Sequence, residues 1–185
     1  MNLIIIIGAQ AAGKMTVGSE ISKVRDYVLF HNHMSIEMPL KLFEYDSPGF
    51  KALNSGIREI VFNEMMAANR NFIFTYMCAF NVPEDLEYLN NLIEKFENEG
   101  HSVYVLELIS NLATRLDRNK TEFRLTEKPS KADLERSSSE MASSVIQYTL
   151  ESQSGDLKGK HHLKIVNDNH STKEVATTFL NTFNL

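Results

Sequence analysis

The sequence predicts an α/β sandwich, a parallel sheet whose strands are joined through helices by right-handed crossovers. Three observations carry this. Apolar runs of strand length recur between stretches of helical spacing. The first run, Leu3-Ile4-Ile5-Ile6-Ile7, contains no polar residue, as a strand buried on both faces of a parallel sheet requires. Helix start and stop signals fall between the runs rather than inside them.

The runs at 3–7, 27–30, 72–77, 103–108 and 163–166 read as strands. Helical sequence follows Gly13-Lys14-Met15-Thr16. After the Ser47-Pro48-Gly49 turn, Leu53, Ile57, Ile60 or Val61, and Met65 share one helical face. Pro83 fixes φ for a helix start, and Glu84 and Asp85 place negative charge at its positive end. Leu86, Leu89, Ile93 and Phe96 continue that helix and Gly100 can close it. Met141, Val145 and Tyr148 make a further stripe, and Ser171 with Glu174 forms a capping box before Val175, Phe179 and Phe183. The stripes read as core faces, because a helix holds its place by burying one apolar side. No repeat, Pro-rich linker or low-complexity tract appears, so residues 1–185 are expected to form one domain.

Composition narrows the function classes. Hydrophobic residues at 43% and charged residues at 23% are ordinary for a globular chain and exclude a disordered or fibrous one. A net charge of −5 offers no general attraction to nucleic acid or to an anionic membrane, so neither is expected as a partner. Cys78 is the lone cysteine and cannot form an intrachain disulfide, and no Cys/His spacing suits structural zinc. A reducing cytoplasm is the expected location. The run at 3–7 is too short for a membrane span.

Directly after that run comes Gly8-Ala9-Gln10-Ala11-Ala12-Gly13-Lys14-Met15-Thr16. A glycine-bounded turn from a buried strand into a helix start aims backbone N–H groups and the positive helix end at one point, which suits a polyphosphate. Gly8 and Gly13 allow the tight turn and Lys14 can reach the β- and γ-phosphates. Met15 stands where such loops usually carry the Ser or Thr that binds Mg²⁺, and a thioether is a poor ligand for a hard cation. Thr16 points elsewhere on the helix and is expected to touch an α-phosphate instead. The strand at 72–77 also lacks the terminal Asp of a Walker B strand, leaving Glu107 and Thr75 as candidate compensators, each with a structural role as the alternative.

Four of the seven arginines, Arg115, Arg118, Arg124 and Arg136, fall between 115 and 136 with Lys120, Lys128 and Lys131. A helix over 111–118 is expected to lead into a lid at about 119–132, where guanidinium groups would meet a transferring phosphoryl group. The alternative is a solvated charged face, since Asp117, Glu122, Glu127, Asp133 and Glu135 lie among them. At the end of the second strand, His31 and His33 would share one side if the chain stayed extended, with Asn32 between them and Glu37 beyond. Strand C-terminal ends carry the site in open α/β sheets, so these imidazoles are candidates for a general base, with satisfied polar residues as the alternative.

Gly8 to Thr16, Arg115-xx-Arg118 with Arg124, and Lys164-Ile165-Val166-Asn167 ahead of the capped helix resemble the small P-loop kinases related to shikimate kinase, gluconate kinase and chloramphenicol phosphotransferase. The likeness runs nearly the whole chain in order of elements. The strings Gly13-Lys14-Met15-Thr16-Val17-Gly18 and Phe30-His31-Asn32-His33-Met34-Ser35-Ile36-Glu37 look like a bacterial branch known as ATPase or shikimate kinase-like proteins. The resemblance implies a three-layer P-loop fold with a five-stranded parallel sheet of order 2-3-1-4-5 and a helical lid, ATP with Mg²⁺, and phosphoryl transfer to a hydroxyl of a small-molecule acceptor. It implies catalytic roles for Lys14, Arg118 and Arg124, with His31 or His33 where the class usually carries an acidic residue. Gly8, Ala9, Gln10, Ala11, Ala12, Gly13, Lys14, Met15, Thr16 and Arg115 would hold the nucleotide, with Asn167 beside the adenine. The alternative function is a nucleotide-binding sensor or slow NTPase without an acceptor.

Overall fold

The structure is a computed structural model that describes residues 1–121, 128–131 and 133–185. Its elements follow in the order β1 (Asn2–Gly8), α1 (Lys14–Val24), β2 (Val28–His31), α2 (His33–Leu40), α3 (Pro48–Ala67), β3 (Phe72–Thr75), α4 (Pro83–Asn98), β4 (Ser102–Ile109) and α5 (Leu112–Arg118). A 3-10 turn (Pro129–Lys131), α6 (Leu134–Gln147), β5 (His161–Val166) and α7 (Thr172–Phe183) complete the chain. The five strands form one parallel sheet of order β2-β3-β1-β4-β5. That is the expected architecture and order.

The sheet is held between two apolar layers. Leu3, Ile5 and Ile7 of β1 face Phe62, Phe72, Phe74, Ile93 and Phe96, so α3 and α4 cover that side. Ile4 and Ile6 face Val17, Ile21, Val175 and Phe179 of α1 and α7 on the other. Ile4 through Ile7 are fully buried, and loss of one methylene from such a site costs about 1 kcal/mol. The expected helix ends hold as well. Ser47 Oγ accepts from Phe50 N, Ser171 and Glu174 make the reciprocal capping box, and Gly100 follows α4 with φ +79°.

Several expectations need correction. β2 ends at His31 and α2 begins at His33, so the two histidines do not share one side of an extended strand. The turn forms because Asn32 O accepts from the Ser35 hydroxyl and amide, which draws the chain into helix. On α3 the expected stripe packs on the core through Ile57, Val61 and Met65, each partly buried, but Ile60 is exposed and the most buried line is Phe50, Arg58 and Phe62. On α6 only Met141 of the expected stripe is buried. Val145 and Tyr148 are exposed, and the inward face is Ser137, Met141 and Ser144. Small hydroxyl residues let α6 approach α5 closely enough for Ser137 Oγ to donate to the fully buried Asn119 Oδ1 at 3.2 Å.

Candidate functional site

The C-terminal ends of the strands converge on the turn after β1. Gly8 has φ +140°, and a Cβ there would lie 2.4 Å from the Leu108 carbonyl oxygen of β4, so no other residue fits without moving that backbone. Gly13 has φ +99° and precedes the first residue of α1. The loop between them wraps its own lysine: Lys14 Nζ donates to the Gly8 and Ala9 carbonyls, both at 2.7 Å. Ala12 N donates back to Ala9 O at 3.3 Å, closing the turn. Gln10 is held from α6, its Oε1 accepting from Ser144 Oγ at 3.1 Å.

Three residues, Asn167 after the last strand and Arg115 and Arg118 of α5, brace this loop. Asn167 is buried, its Nδ2 donates to Ala12 O at 2.8 Å, and its amide donates to Ile109 O at 2.9 Å. Arg118 donates from Nη2 to Asn167 O at 2.7 Å and from Nη1 to Ala12 O at 3.3 Å. Arg115 is buried, donates to Ser110 O at 3.1 Å and to Gln10 O at 3.4 Å, and burial pushes its pKa down. These carbonyls belong to the β4–α5 turn and to the loop itself, so Arg115 joins the two and supports the loop. Arg124 lies outside the described residues, as do 122–127 and 132, half of the expected lid.

A cavity of about 300 Å³ opens on this loop, lined by Gly13, Lys14, Thr16, Arg118, Asn167 and His170 among others. It is at the small end of the range for ligand clefts. Thr16 is exposed at its edge, whereas Met15, which also lines the cavity, is only 6% exposed. The loop therefore presents amides, an ammonium and a guanidinium to one space, which fits a polyphosphate. The donor set does not fit a magnesium cage. The position for the usual hydroxyl holds a buried sulfur, and among the described residues no group of three or more His, Cys, Asp or Glu could hold a metal ion.

Neither candidate compensator faces the loop. Thr75 Oγ1 accepts from Asn32 N at 3.1 Å and so ties the β3 end to the turn after β2. Glu107 is 1% exposed and accepts from Ser152 N at 2.8 Å, Ser152 Oγ at 2.6 Å and His162 Nε2 at 2.8 Å, with Lys164 Nζ at 3.7 Å. Burial raises its pKa, but the hydrogen bonds from His162 and Ser152 and the Lys164 charge outweigh that and hold it below the ordinary value. It anchors the chain between α6 and β5.

His31 pairs with Thr75, which pairs with Ile6, so the end of β2 lies two strand spacings, about 10 Å, from β1 at the same level. His33 stands at the start of α2, with Nδ1 2.9 Å from Glu37 Oε1. Arg58 is the residue that sequence reading missed. It is 8% exposed, donates to Ser35 Oγ at 3.0 Å and to Asn32 Oδ1, and lies 5.6, 5.7 and 5.6 Å from the rings of Phe74, Tyr76 and Tyr88. The signal was a charge on the Phe50, Asn54, Arg58, Phe62 line, where four-residue steps mark an inward face.

No protein-family model and no curated protein matches the chain. Solved structures do. A provisionally assigned kinase from Chloroflexus aurantiacus superposes with TM-score 0.62 at 13% identity, over 99% of this chain and 96% of its own. A sugar kinase from Janibacter sp. HTCC2649 gives 0.59 at 13% identity over 100% and 95%. Shikimate kinase from Bacteroides thetaiotaomicron gives 0.55 at 14% identity over 99% and 98%. At these identities the likeness establishes the shikimate kinase-like P-loop fold.

Proposed function

We propose that this chain is an ATP-dependent kinase that transfers a phosphoryl group to a hydroxyl of a small molecule. The observation that carries the reading is the loop between Gly8 and Lys14, with Arg118 and Asn167 closing the same cavity. Lys14 and the loop amides hold the β- and γ-phosphates, and Arg118, with Arg124 from a lid at about 119–132, neutralises charge on the transferring group. His31 or His33 takes the hydroxyl proton, the freed oxygen attacks the γ-phosphorus, and ADP leaves. Asn167 lies beside the base and Thr16 touches the α-phosphate. Mg²⁺ would come bound to the nucleotide, since among the described residues no group of carboxylates, histidines or cysteines forms a cage for it. Kinase neighbours matched over 95% or more of both chains support the class, and His31, Asn32 and His33 at the β2 end, where the class usually carries an acidic residue, argue against shikimate as the acceptor.

The test pairs calorimetric ATP titration with a screen of hydroxyl compounds for acceptor-dependent ADP release. Lys14→Ala should weaken ATP binding at least tenfold, with a smaller loss of apo stability of about 1 kcal/mol as the carbonyls of buried Gly8 and Ala9 lose this donor. Equal ATP affinity in variant and parent overturns the nucleotide site.

A further inference from the structure

Glu37 lies one helical turn beyond His33 on α2, and three donors converge on its carboxylate. His33 Nδ1 is 2.9 Å from Oε1, Ser130 Oγ donates to Oε1 at 2.6 Å, and Ser130 N donates to Oε2 at 3.3 Å. Ser130 sits in the 3-10 turn 93 residues further along the chain, through which the chain returns to α6. This is unlike the usual i,i+4 surface pair, where two long side chains meet in water. The two side chains are 14% and 23% exposed, so solvent screens their interaction only in part.

We propose that Glu37 is a positioning residue shared by the site and the return segment: it holds the His33 imidazole with its proton on Nδ1, and it fastens Ser130 to α2. A carboxylate that accepts from one ring nitrogen fixes the tautomer, orients the ring, and leaves the other nitrogen as the basic atom. Nε2 is thereby the atom that takes the acceptor's proton, a consequence that rests on the kinase reading above. The carboxylate also favours the imidazolium that proton transfer creates. Other ionisable groups on the elements packed against α2 are His31 on β2 and Lys51, Arg58, Glu59 and Glu64 on α3, of which Arg58 reaches Asn32, with Lys128 just before the 3-10 turn. Arg58, held at Asn32, disfavours imidazolium, and the Glu37 carboxylate, in contact with the ring, opposes it. One carboxylate thus ties the imidazole to the turn at Pro129–Lys131.

The test is NMR of the ligand-free protein labelled with ¹⁵N-histidine, the His33 signals being assigned by loss in His33→Gln. The parent should show the Nδ1–H tautomer. Glu37→Gln keeps an acceptor but no charge, so it should retain that tautomer and lower the His33 pKa by about one unit. Glu37→Ala should shift the ring toward the Nε2–H form that free imidazole prefers, and speed Ser130 amide exchange roughly fivefold. An Nε2–H tautomer in the parent, or tautomer and pKa unmoved in Glu37→Ala, overturns the proposal. These readouts need no turnover. If they come out as expected while no hydroxyl compound is phosphorylated, the kinase reading fails and the role of Glu37 stands. If a kinase activity is found, the acid limb of its pH profile should move with the His33 pKa in Glu37→Gln.

Discussion

Asn167 Nδ2 donates to the Ala12 carbonyl at 2.8 Å, so the end of the last strand is fastened to the turn that follows the first. Because Asn167 is 3% exposed, its removal leaves the Ala12 carbonyl short of a buried donor. Asn167→Ala is expected to cost about 1–3 kcal/mol of stability and to weaken ATP binding through a looser loop. Denaturant melts with calorimetric ATP titration check this, and a variant matching the parent in both would show that the bond does not hold the loop.

Arg118 bonds both of those residues through one guanidinium, Nη1 to Ala12 O and Nη2 to Asn167 O. On the proposed kinase reading, its role is charge neutralisation in the reacting state. Arg118→Lys keeps a charge but not the planar fork, so it should lower turnover on the order of a hundredfold with a smaller change in ATP affinity. Steady-state rates and binding measured on the same preparation separate the two effects. A loss confined to affinity would make Arg118 a binding residue only.

Glu107 makes the fold sensitive to acid. Its carboxyl is held below the ordinary value in the folded protein, so it contributes stability that is present above the unfolded carboxyl's pKa, near 4.5, and is lost as pH falls through the folded one. The melting temperature of the parent should therefore drop on acidification below about pH 4.5, and Glu107→Gln should be less stable at neutral pH yet flatter with pH in that window. An identical slope in both proteins would place the acid sensitivity elsewhere.

The sheet was legible because its strands are written as apolar runs and its caps as short local signals, such as Ser171 with Glu174. The glycine-bounded turn after β1 was legible for the same reason, since Gly8 and Gly13 are required by backbone geometry alone. The β2 end was less so. A two-residue spacing cannot say whether the chain stays extended, and the Ser35 bonds to Asn32 O that turn it into α2 join residues whose types are common in many settings. The serine face of α6 was hidden because Val145 reads as core by type, although the tight approach to Asn119 selects small residues. Arg58 was hidden because its rings come from three separate segments. Arg58→Ala removes those ring contacts and two hydrogen bonds together, with an expected cost of about 3 kcal/mol, measurable by denaturant unfolding.

Met15 tests how the nucleotide's metal is held. Its thioether is buried where a hydroxyl would face the cation, so ATP affinity in the parent should depend only weakly on Mg²⁺. Met15→Ser adds the missing oxygen but also empties part of a packed site, at a stability cost of about 1–3 kcal/mol. Met15→Ala supplies the same cavity without the oxygen and is the control. Titrating Mg²⁺ against ATP affinity should give a steeper dependence in Met15→Ser than in Met15→Ala, while Met15→Ala stays close to the parent. Turnover adds a second reading. A kinase whose metal rides on the nucleotide should already transfer phosphate well and gain little from the serine, whereas a near-zero parent rate rising in Met15→Ser would describe a loop that binds without turning over. Strong, saturable Mg²⁺ dependence in the parent, unchanged by the serine, would overturn the expectation, because it requires an oxygen ligand that Met15 does not provide.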